Sequence, residues 1–155
     1  MGVLTGILIV LGGAAAYFLW PTAAEPDDQV GSGQAAVAVA WGRPVVTEAG
    51  LAARSGVVIT QVAVTGAGGL VDVRFEVVEP NRAATVHDPA TPPAIIDEQT
   101  GLVVHDLFMD HSHTGAFKAG VTYYYVFTNP QNRVRRGSEV TVLLGGVAVQ
   151  HVVVQ

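Results

Sequence analysis

The chain has 155 residues, half of them hydrophobic and 14% charged, which is too apolar for a disordered protein. A formal net charge of −5 argues against nucleic acid as a partner. The absence of cysteine excludes disulfides, thiolate metal sites, iron–sulfur clusters and thiol catalysis.

Residues 2–20 carry no charge and end in Tyr17, Phe18 and Trp20, with Pro21 following. Nineteen uncharged, mostly apolar residues match the length a helix needs to cross a hydrocarbon core of about 30 Å. Aromatic side chains at one end suit the membrane interface. The expectation is an uncleaved transmembrane anchor over residues 1–21, with the C-terminal part outside the cytoplasm. Thr22-Ala23-Ala24 offers the competing reading of a signal-peptide cleavage site. Residues 22–34, rich in Ala, Pro, Gly and acids, read as a flexible linker. Lysine occurs once, at Lys118, while Ala, Gly and Val abound, a bias that fits a GC-rich bacterial genome.

Residues 35–155 read as one β domain. The apolar segment 35–41 is a candidate first strand. Thr47 can cap a short helix over residues 49–55, which Gly56 would end. Residues 57–65 and 70–78 form a hairpin across a glycine-rich turn, and Val71, Val73, Phe75 and Val77 alternate with polar residues. One helical turn is expected before His87. Short strands at 94–96 and 101–105 flank the turn 97–100, where Asp97 and Glu98 read as turn residues.

The last third carries the clearest pattern. In residues 121–128, Tyr123, Tyr125 and Phe127 share one face. Residues 139–144 and 147–154 form a hairpin across Gly145-Gly146, the glycine pair that tight primed turns favour. A two-residue turn pairs Leu144 with Val147, Val142 with Val149 and Val140 with His151. Those residues then share an apolar face with Val153, and Glu139, Thr141 and Gln150 face water. The fold expected is all-β: an immunoglobulin-like antiparallel β-sandwich of seven or eight short strands behind one N-terminal transmembrane helix.

One stretch suggests chemistry. Residues 105–113 hold three of the five histidines and the one internal methionine. Imidazole and thioether donors suit copper, so His105, Met109, His111 and His113 are candidate ligands, with His87 or His151 as additional donors. Asp110-His111-Ser112 does not make a hydrolytic triad, because sequence neighbours seldom converge in space. No nucleophile elbow or phosphate loop is present, so no enzyme activity is expected. Arg133, Arg135 and Arg136 read as a solvated loop. The function expected is a membrane-anchored binding or accessory module for another cell-envelope protein; the competing reading is an exported copper-binding domain.

Overall fold

The computed structural model describes residues 42–108 and 115–155, and they form a mostly β architecture of two sheets that fits a β-sandwich. The expected membrane helix, the linker and the candidate strand at 35–41 lie outside the described residues. Among the described residues no helix is long and apolar enough to cross a membrane.

In chain order the elements are β1 (Val45–Val46), α1 (Glu48–Ser55), β2 (Val57–Thr65), β3 (Leu70–Val77), α2 (Pro80–Ala83), β4 (Ala94–Asp97), β5 (Val103–Val104), β6 (Thr122–Thr128), β7 (Glu139–Leu144) and β8 (Val147–Val153). The larger sheet has the order β1-β8-β7-β4-β5, and the smaller has the order β2-β3-β6. β1 runs parallel to β8, whereas every other strand pair is antiparallel.

Local chemistry explains the punctuation. The Thr47 side chain accepts from the Gly50 N–H at 3.2 Å, satisfying one orphan donor of α1. Gly56 ends the helix at φ 63°, donating its N–H to the Ala52 carbonyl. A Cβ at Gly56 would collide with the Glu79 carbonyl oxygen. Gly56→Ala is expected to cost at least about 1–2 kcal/mol from the left-handed backbone alone, read as a lower urea midpoint. Gly145 and Gly146 sit at φ 57° and 77°, the left-handed pair of a tight hairpin turn.

The core lies between the sheets. Val71, Val73, Phe75 and Val77 of β3 meet Val140, Val142 and Leu144 of β7, with Val147 and Val149 of β8. Leu51 of α1 closes one end and is fully buried. Tyr125 packs at the margin, and burial pushes its phenol up to about 12 while its hydroxyl donates to the Val86 carbonyl at 3.1 Å.

Two details of the last hairpin differ from the sequence expectation. Leu144 pairs with Val147 and Val142 with Val149, but Val140 pairs with Val152, not with His151. An extra residue in β8 opposite Thr141 makes a bulge, and a one-residue slip reverses the side-chain alternation beyond it. His151 thus leaves the apolar face, and Val153 is 56% exposed. Thr141 is also not on a wet face: it is fully buried. The outer side of this sheet carries a second apolar cluster of Ala94, Ile96, Leu143 and Ala148.

The arginine loop is exposed as expected, and its shape comes from a buried residue beside it. Asn129 donates its side-chain N–H groups to the carbonyls of Gly68 (2.7 Å) and Val134 (2.8 Å), and its Oδ1 accepts from the Val134 N–H (3.1 Å). One amide therefore ties the 66–69 turn to the 130–137 connection. Asn129→Ala would strand these groups at about 1–3 kcal/mol for a buried unsatisfied group. The expected result is a lower melting temperature with an unchanged fold by circular dichroism.

Candidate metal centre

The bulge in β8 gathers the most concentrated polar chemistry among the described residues. His151 adopts φ 60°, a left-handed conformation that costs most side chains about 1–2 kcal/mol. Its backbone N–H is turned out of the β7–β8 ladder and donates to Glu98 Oε1 at 2.8 Å. Thr141 Oγ1 donates to the same oxygen at 2.9 Å. The other oxygen, Glu98 Oε2, lies 2.8 Å from His151 Nδ1.

Glu98 reaches this position because the chain continues the β4–β7 ladder past the end of β4. Its backbone N–H donates to the Glu139 carbonyl at 3.0 Å. β7 lies between β4 and β8, so the carboxylate spans Thr141 to meet the bulge. Glu98 is 8% exposed. The neighbouring turn is held separately: Asp97 Oδ1 accepts from the Thr100 N–H (2.8 Å) and hydroxyl (2.7 Å).

Glu139, the first residue of β7, brings a second carboxylate, with Oε2 3.9 Å from His151 Nδ1. One donor atom each from Glu98, Glu139 and His151 lies within 4.8 Å of the others. The three side chains line a cleft of about 380 Å³, together with Gln99 and Ser138. The Ser138 hydroxyl accepts from the Arg135 N–H at 3.1 Å. Glu98 and His151 resemble the carboxylate–imidazole half of a triad, but among the described residues no hydroxyl donates to the ring. What the cluster offers is a ligand set of one imidazole nitrogen and two carboxylate oxygens.

The histidines singled out in the sequence are distributed differently. His105 is exposed, with Nδ1 3.2 Å from Asp106 Oδ1. Met109, His111 and His113 lie outside the described residues. His87 packs its ring on Phe117 at a centroid distance of 4.2 Å, within an aromatic group that includes Tyr125. His151 sits in the carboxylate cluster. Sequence reasoning missed Glu98 and Glu139 because their convergence depends on strand order. One signal was readable: Gln150-His151 puts two polar residues in succession inside an alternating strand, the mark of a bulge.

No family model, curated protein or solved structure matches this chain.

Proposed function

We propose that the chain is a single-pass membrane protein of the cell envelope, holding an immunoglobulin-like β-sandwich outside the cytoplasm. In this reading the sandwich is a binding or accessory module for another envelope protein, without enzymatic activity of its own. The observation that carries it is the uncharged run 2–20, placed ahead of an acidic linker and a β domain with its own core. Further support for the immunoglobulin-like reading comes from the order β8-β7-β4 in one sheet and β2-β3-β6 in the other.

A binding module needs an accessible face, and the cleft between the 97–99 turn and residues 137–139 supplies one with polar groups at its rim. Photo-crosslinking side chains at Gln99 and Ser138, tested in native membranes, should give one discrete adduct. The same group at Ala53, on the exposed side of α1, should not. Identical adducts from both faces, or none from the cleft, would contradict a specific partner at this site.

The second reading is an exported copper-binding domain with His105, Met109, His111 and His113 as ligands. It is favoured by the exposed ring of His105 at the start of that stretch. Competitive titration of Cu(I) against a chelator should then show binding that a His111→Ala/His113→Ala variant loses. Equal affinities of the two chains would remove this reading.

A further inference from the structure

We propose that Glu98, Glu139 and His151 bind a divalent transition-metal ion of the zinc class. The site does not depend on the membrane reading, and it is separate in sequence from the 105–113 stretch.

Three observations carry it. First, the donors converge from three segments: the residue after β4, the first residue of β7, and the bulge of β8, all within 4.8 Å of one another. Tetrahedral zinc–ligand bonds of about 2.0–2.2 Å set ligand atoms roughly 3.4 Å apart, so the ion would part the 2.8 Å Glu98–His151 contact slightly and draw Glu139 in from 3.9 Å. The exposed Glu139 side chain can make that adjustment without disturbing the sheet.

Second, the least exposed ligand is already oriented. Thr141 and the His151 N–H hold Glu98 Oε1, which leaves Oε2 directed to the imidazole. Hydrogen bonds of this kind position metal-binding carboxylates and lower the entropy cost of binding.

Third, Glu98 is a buried carboxylate whose ion-pair partner among the described residues is an exposed histidine, not a lysine or arginine. A second carboxylate, Glu139, stands beside it. Buried charges are normally paired or coordinate metals. A divalent cation would balance both carboxylates.

The donor types narrow the ion. An imidazole nitrogen suits zinc, copper, nickel and iron better than magnesium or calcium, which favour oxygen alone. Three protein ligands leave a further coordination position for water or for a side chain of a bound partner.

The test uses the full chain in detergent, untagged and stripped of metal, with Zn²⁺ titrated against a chromophoric chelator. Wild type should bind one equivalent and gain melting temperature on binding. Glu139→Gln changes an exposed residue and should weaken binding at least tenfold without altering the metal-free melt. His151→Gly suits the left-handed backbone and preserves the N–H that Glu98 accepts, so the fold should survive. Its affinity should fall more than the ~10–100-fold typical of losing an outer-shell partner. Thr141→Val, which removes only the hydrogen bond to Glu98, should fall inside that range. His111→Ala/His113→Ala should bind zinc as wild type does. No uptake by wild type, or equal affinity in His151→Gly, would overturn the assignment. Zinc lost from the His111→Ala/His113→Ala variant but retained by His151→Gly would place the ion in the 105–113 stretch and also overturn it.

Discussion

Val142→Asp is expected to leave the domain unfolded, and Thr141→Asp to be nearly as damaging. Val142 is 1% exposed and packs between the sheets, so aspartate there would bury a charge without a partner. The effective penalty is several kcal/mol per ion, against a total domain stability of about 5–15 kcal/mol. Strict alternation along β7 would make Thr141→Asp harmless, because it assigns that side chain to water. The structure instead places Thr141 fully buried, donating to Glu98 Oε1. An aspartate there replaces a donor with a second carboxylate against the first. Thr141→Val keeps the shape and removes one hydrogen bond to a charged group, worth about 1.5–3 kcal/mol. Urea melts of the three variants should rank Val142→Asp and Thr141→Asp far below Thr141→Val. A Thr141→Asp variant as stable as wild type would contradict the burial of this site.

Phe75→Ala should produce the largest loss among apolar truncations. Phe75 is 1% exposed on β3 and meets the rings of Phe117, Tyr123 and Tyr125 at centroid distances of 6.3, 6.1 and 5.6 Å. Truncating a buried phenylalanine costs about 3–5 kcal/mol, partly from lost transfer energy and partly from the cavity left behind. Aromatic neighbours add about 0.5–1.5 kcal/mol per pair beyond burial. Phe75→Leu refills most of the volume and should recover much of the loss. The expected readout is a large drop in melting temperature for alanine and a smaller one for leucine. Equal small shifts would mean that this ring cluster does not hold the sheets together.

The strands were legible because period-two patterns survive wherever one face is buried. β2 runs over Val57–Thr65, the segment that alternation and the flanking glycines mark, and α1 is capped by Thr47 and Gly56. The turn at Gly145-Gly146 fixed the pairing of Leu144 with Val147. Alternation failed at the bulge, where one inserted residue moves His151 off the core face. It also failed along the outer side of β7, where Leu143 joins Ala94, Ile96 and Ala148 in a second cluster. The successive leucines Leu143-Leu144 were the readable sign of a strand buried on both faces. The candidate metal centre was not legible as a site. Its carboxylates lie 41 positions apart in the chain, at Glu98 and Glu139, and meet only because β4 and β7 are neighbours. The stretch 105–113 shows the converse: ligand-type residues clustered in sequence, of which the described residues include His105 and not Met109, His111 or His113.

The proposal of an anchored module facing outward is tested most directly by protease digestion of intact spheroplasts, followed by carbonate extraction and intact-mass analysis of the mature chain. The expected result is full-length mass, retention in the membrane pellet through carbonate, and loss of the 42–155 domain to protease added from outside. A carbonate-soluble product whose mass begins near Glu25, or a membrane-bound chain digested only after lysis, would contradict it.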